Sequence, residues 1–229
     1  TDKDDPAEDP KFGRMGKQRC ENTGPLTRER MKTVDAEFLK AAENFIDRSA
    51  KEDKPFFVWF NPTRMHIWTH VPQEYIQKAV DEGRPEIDVY RAGMIQHDEQ
   101  VGRLLVELDA LGLDRETLVV LTGDHGESLG EHDYFDKRWI YEECFQMPFL
   151  ARFPGKIAAE STDDTHLCSN LDFAQTFLDF TEVDAPDEVA RMQGHSLRPI
   201  LDRDQTIRQC RAPRRQAGDE HQRRDGAPA

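Results

Sequence analysis

The stretch "TLVVLTGDHGESLGEHDYFDKRW" at positions 117–139 decides the fold. It opens on a run that is wholly apolar or β-branched and then packs aspartates, histidines, glycines and a lysine directly behind it. A short run of this kind reads as a strand buried on both faces, and such strands belong to sheets covered by helices. Ligands of an open α/β sheet gather beyond the carboxyl ends of its strands, so chemistry is expected just after Thr122.

Working outward, "PFFVWFN" at 55–61 reads as a second buried strand, and "MPFLARF" at 147–153, closed by Pro154–Gly155, as a third. Between the first two, a helical period from about Pro85 to Leu111 places Ile87, Tyr90, Met94, Val101, Leu104, Leu105 and Leu108 on one side, with Gly112 as its C-cap. Strand, long helix, strand is βαβ grammar, which predicts an α/β fold with a mostly parallel sheet flanked by helices. Upstream, Met31, Val34, Phe38, Leu39, Ala42, Phe45 and Ile46 recur at three- and four-residue steps, predicting an amphipathic helix from Thr27 to about Ser49. Downstream, "HLCSNLDFAQTFLDF" at 166–180 reads as a short strand leading into a helix, where Asp172 suits the positive end of the helix dipole.

These elements divide the chain into a loop-rich entry segment, 1–26, one partial α/β domain, 27–202, and an Arg-rich tail, 203–229. Ile207 is the tail's only large aliphatic residue, so disorder is expected there. Lys and Arg total 31 against 45 Asp and Glu, and the net charge of −14 argues against a nucleic-acid footprint or a surface attracted to anionic lipid. No run is long enough to cross a bilayer as a helix. The opening "TDKDDPAEDP" has no apolar signal core and no initiator Met, and suggests that upstream sequence is missing. Cys20, Cys144, Cys168 and Cys210 form no CxxC pair, which argues against a zinc knuckle or a dense disulfide framework.

Asp124 offers the carboxylate oxygens that calcium or magnesium requires, and Gly123 and Gly126 allow close backbone approach; the same residue also suits a turn that bonds its own backbone. His125 is better matched to zinc, copper or iron than to calcium. Lys137 brings a compact positive charge that suits an anionic substrate, and His66 in "TRMHIWTH" carries an imidazole, a group type suited to general acid catalysis. Each has an ordinary structural role when taken alone. Together, an acid, two imidazoles and a lysine suit a cation bound beside a tetrahedral oxyanion, and hence hydrolysis of a sulfate or phosphate ester.

The stretch "LTGDHGESLGEHDYFDKRWIYEECFQMPFLARFPGKI" resembles the second signature region of the formylglycine-dependent sulfatases, members of the alkaline-phosphatase superfamily. "DKPFFVWFNPTRMHIWTH" is similar to their arylsulfatase branch, and the likeness runs over roughly residues 10–201. The resemblance implies that Asp124 and His125 are the second pair of ligands around one calcium ion, and that Lys137 holds the sulfate group. It also implies that His66 lies near the ester oxygen, where it helps the leaving alcohol depart. The family's nucleophile is a hydrated formylglycine made within a C/S-x-P/A-x-R motif, which with the first pair of metal aspartates belongs to the N-terminal part of the domain.

Neither feature is identifiable here. "DKDD" at 2–5 does not follow a buried strand, and "CRAPR" at 210–214 fits the motif formally but stands after the metal segment. The chain is therefore expected to be the central and C-terminal portion of a sulfatase with an incomplete alkaline-phosphatase-like α/β domain, inactive by itself. Its parent is expected to act on a sulfate-ester small molecule or a sulfated glycan. The resemblance also implies a periplasmic or secreted protein, although nothing in the sequence fixes the compartment. Two rival readings stay open: a phosphodiesterase or phosphonate-ester hydrolase of the same superfamily, kept alive by His125, and a non-catalytic module binding a partner through an exposed sheet edge.

Overall fold

The loop-rich opening carries four two-residue strands in antiparallel pairs, β1 (Asp2–Lys3) with β4 (Gln18–Arg19) and β2 (Glu8–Asp9) with β3 (Gly13–Arg14), the second pair nested inside the first. The computed structural model describes residues 2–3, 8–9, 13–14, 18–19, 22–66, 69–81, 89–184 and 186–202. It divides into two compact units, Thr1–Leu111 and Gly112–Ala229.

In the first unit, α1 (Arg28–Lys51) forms where the apolar period predicts it and runs two residues past Ser49. Thr27 starts it by accepting the Arg30 N–H at 3.2 Å, which satisfies one of the amides that a helix start leaves without a partner. Val34, Leu39, Ala42 and Ile46 are buried along one stripe. Two further helices follow, α2 (Gln73–Asp81), which the sequence pattern does not announce, and α3 (Val89–Ala110). Positions 85–88 of the expected α3 lie outside the described residues. Val71, Ala79 and Ala92 make a small apolar core between these segments, and the Tyr75 hydroxyl donates to Glu99 at 3.0 Å across α2 and α3.

The buried face of α3 differs from the apolar one. Ala92, Gly93, Gln96, Gln100 and Leu108 are buried, whereas Met94 is half exposed. The reason is the loop laid against this face: a Cβ on Gly93 would stand 3.2 Å from Thr69 and 3.4 Å from Arg64. Small and amide side chains are what a polar loop can dock on.

The expected strand at 55–61 is corrected. It forms no β-ladder among the described residues. Phe56, Val58 and Phe60 are half-buried, while Phe57 and Trp59 are 67% and 81% exposed, so the segment is extended with one side covered and not two. Phe57 to Asn61 line an open groove together with Phe38, Ala42 and Phe45 of α1.

The second unit holds β5 (Val119–Thr122), the hairpin β6 (Ser128–Leu129) and β7 (Phe135–Asp136), α4 (Glu142–Phe145), β8 (Phe149–Arg152), α5 (Asn170–Phe180), α6 (Pro186–Val189) and α7 (Arg198–Leu201). The strands expected within 117–122 and 147–153 form, and they pair antiparallel with Val119 opposite Arg152 and Thr122 opposite Phe149. Among the described residues every sheet is two-stranded and antiparallel. Phe149 stacks on Phe173 of α5 at 5.4 Å, and Phe153 meets Phe180 at 5.8 Å.

No strand forms at 166–169, a second correction. The Asp163 carboxylate accepts the N–H groups of Thr165 and His166, both at 2.9 Å, and this turn competes with an extended backbone. Ser169 and Asp172 then build a reciprocal cap at the start of α5. Asp172 also accepts the His195 N–H at 2.9 Å, and Thr176 the Leu197 N–H at 2.8 Å, docking 194–197 on the helix. Cys144 is buried and Cys168 exposed, both as free thiols; Cys20, Cys210 and the tail at 203–229 lie outside the described residues. No helix among the described residues is long and apolar enough to cross a membrane.

Candidate metal and anion site

Strand β5 delivers the chain to Gly123, and Asp124 and His125 follow at its carboxyl end. The Gly126 N–H donates to the Cys144 carbonyl at 2.9 Å. A Cβ at Gly126 would stand 2.0 Å from the Glu143 carbonyl oxygen, so only glycine permits this approach. The β6–β7 hairpin then turns back through Gly130, His132 and Asp133, with φ of 130°, 57° and 61°. Asp136, also at positive φ (93°), leads into Lys137. Beneath the hairpin the buried Cys144 thiol lies 3.4 Å from both the Ser128 hydroxyl and the Asp136 carbonyl, tying the two strands together.

This route brings the Lys137 ammonium within 3.0 Å of His125 Nε2. His125 Nδ1 lies 2.7 Å from the Gly126 carbonyl oxygen, which only accepts, so Nδ1 carries the proton and Nε2 keeps its lone pair. Nε2 therefore accepts from Lys137. The Asp124 carboxylate reaches within 3.5 Å of the same Nε2 and is 87% exposed. The Asn170 side-chain amide donates to the Asp124 carbonyl at 2.9 Å. Three of the four residues singled out in the sequence thus converge: Asp124, His125 and Lys137.

His66 belongs to the first unit and is exposed, its N–H directed at the Thr63 carbonyl at 3.4 Å. Its loop is held by a buried network. One Asp35 carboxylate oxygen accepts the Thr63 N–H at 2.9 Å and the Thr63 hydroxyl at 2.8 Å. The other accepts the Arg64 N–H at 3.3 Å and lies 3.5 Å from the Arg64 guanidinium, both side chains being fully buried. Arg64 also donates to Gln96 at 2.9 Å and to the Met31 and Lys32 carbonyls at 3.2 Å. Burial pushes the Arg64 pKa down, against the upward pull of Asp35.

Sequence reasoning missed Asp35, Arg64 and Asn170. Asp35 had a readable signal, a carboxylate beside Val34 on the apolar stripe of α1, which demands a buried partner. Asn170 had none, since its partner lies 46 residues away.

A divalent ion fits the Asp124–His125 pair in one respect that the structure shows: a carbonyl fixes the tautomer, and the remaining imidazole nitrogen points at the same place as a carboxylate oxygen. The pair supplies two donors, and no group of three or more metal-binding side chains occurs among the described residues.

A profile described as Sulfatase matches residues 6–183. The N-acetylglucosamine-6-O-sulfatase of Bacteroides thetaiotaomicron is 46% identical over 113 residues, covering 49% of this chain and 20% of the relative. An ulvan-active sulfatase of Formosa agariphila is 27% identical over 181 residues, covering 71% and 35%. The chain thus spans no more than about a third of the length of these relatives. The crystal structure of a Pseudoalteromonas sulfatase superposes with a TM-score of 0.67 at 22% identity, over 82% of this chain and 38% of that one. The shared architecture is the alkaline-phosphatase-like α/β fold that the sequence predicts, here as a part of it. With the profile matching well over half of its residues, the chain belongs to the sulfatase family.

Proposed function

We propose that this chain is the part of a sulfate-ester hydrolase that supplies two metal ligands and the cation that holds the sulfate group. Sulfatases work with a formylglycine and a divalent metal, which together supply the nucleophile and the charge that stabilises the reacting anion. The observation that carries the reading is the convergence of Asp124 Oδ1 and Lys137 Nζ on His125 Nε2, at 3.5 and 3.0 Å.

Asp124 and His125 would hold the ion, and the accessible carboxylate favours calcium, a hard cation that takes oxygen donors. Nε2 has a single lone pair, so the Lys137 ammonium bonded to it here has to release it when His125 ligates a cation. Its N–H donors then serve an anion beside that cation, which suits an SO4-like group. His66 is assigned the proton donated to the departing alcohol oxygen, a task matched to an accessible imidazole. Relatives named for N-acetylglucosamine-6-O-sulfate and ulvan support a sulfated saccharide as the substrate class.

Calorimetric titration with calcium and then sulfate tests this. The expected result is that the chain binds calcium, that Asp124→Ala and His125→Ala weaken that binding, and that Lys137→Ala weakens sulfate while leaving calcium in place. Zinc bound in strong preference to calcium would point instead to a transition-metal phosphoesterase, favoured by the imidazole donor. Absence of any metal-dependent stabilisation would favour the non-catalytic module.

A further inference from the structure

We infer that Asn170 is a positioning residue for the Asp124–His125 pair, acting through the one peptide group that joins them. The inference rests on the metal reading above. Asp124 and His125 are consecutive, so both side chains spring from the Cα atoms at the two ends of a single planar peptide. A change in ψ of Asp124 or φ of His125, the two torsions that flank the plane, alters the angle between the two Cβ directions and so swings carboxylate and imidazole apart.

Three hydrogen bonds bear on the plane and its neighbour. Gly126 N–H to the Cys144 carbonyl, 2.9 Å, anchors the downstream backbone. His125 Nδ1–H to the Gly126 carbonyl, 2.7 Å, sets the imidazole. Asn170 Nδ2–H to the Asp124 carbonyl, 2.9 Å, is the bond that acts on the plane itself, across 46 residues of sequence.

Asn170 is well placed to be rigid. It is the first residue of α5, behind the reciprocal Ser169–Asp172 cap. Asp172 is itself buried and bonded to His195. The helix start therefore acts as a fixed post, and the exposed amide of Asn170 carries that fixity to the donor pair. Outer-shell partners of this kind typically govern metal affinity by about 10–100-fold.

The test uses the 229-residue chain with Asn170→Leu, which keeps the shape and removes the donor, and Asn170→Ala. Calcium affinity is read by calorimetry and the melting temperature is read without metal. The expected result is calcium binding weakened about tenfold in both variants, with the metal-free melting temperature unchanged. Calcium binding equal to that of the unaltered chain overturns the inference alone. Weakened binding together with a matching drop in metal-free melting temperature in both variants also overturns it, since Asn170 then holds the fold and not the pair. No calcium binding by the unaltered chain overturns the metal reading and this inference with it.

Discussion

Asp35 spends both carboxylate oxygens on one loop, and the Arg64 guanidinium beside it is equally removed from water. A pair of this kind is weak grounds for stability as a whole but costly to break, because truncation strands the other charge. Asp35→Ala is expected to cost about 3–5 kcal/mol in urea unfolding, and Asp35→Leu combined with Arg64→Met much less. Equal losses in the single and double variants would refute the stranded-charge account. Asp163 gives a pH test. Burial pushes its pKa up, but hydrogen bonds from His166 and from the Thr165 and His166 backbone outweigh that and hold it at about 2. A depressed carboxylate stabilises above its unfolded value of about 3.9 and loses that contribution as pH falls through its folded value. The stability gap between the unaltered chain and Asp163→Asn should therefore be present at about pH 5 and close toward about pH 2. With 38% of the side chain exposed, the gap should stay under about 1 kcal/mol. A gap that widens on acidification would contradict the assigned hydrogen bonds. At this scale Asp124, His125 and Lys137 were legible as one set because they follow one strand within a few turns of chain, whereas Asn170, which bonds the Asp124 carbonyl, is remote.

Helix α1 was legible from its apolar period, and α3 from its period and from Gly112, which adopts φ 69° just past its end. The buried face of α3 was not, since the packing partner of Gly93 and Gln96 is a loop that periodicity cannot see. The glycines separate packing from backbone freedom. Gly102 has nothing within 4 Å of its would-be Cβ and sits inside α3, so Gly102→Ala should stabilise by roughly 0.5–1 kcal/mol. Gly126→Ala drives a methyl into the Glu143 carbonyl and must part 126 from 143–144, for a loss of about 1–3 kcal/mol or more. Calcium affinity should fall with it, because the Gly126 carbonyl sets the His125 tautomer. Thermal melts of the two variants moving in the same direction would disprove this assignment.

The strand at 55–61 was misread because a continuous apolar run carries no mark of how many of its faces are covered; only the ladder decides, and none forms here among the described residues. The result is a chain that displays large apolar side chains in both units: Phe57 and Trp59 at 67% and 81% in the first, Ile140, Phe145 and Leu150 at 90%, 66% and 62% in the second. Exposed apolar groups on extended backbone are a template for association, and a charge placed among them is the usual remedy. Sedimentation velocity at rising concentration should show the 229 residues self-associating, and Phe57→Lys with Trp59→Lys should shift the distribution toward monomer. Both residues also line the groove beside α1, so the melting temperature of the double variant is read alongside to separate association from stability. If the chain stays monomeric at every concentration, the exposed aromatic pair does not drive contact between copies. If it associates and the double lysine variant associates equally, the contact belongs to the exposed side chains around Ile140 and Leu150, where Leu150→Lys is the decisive variant.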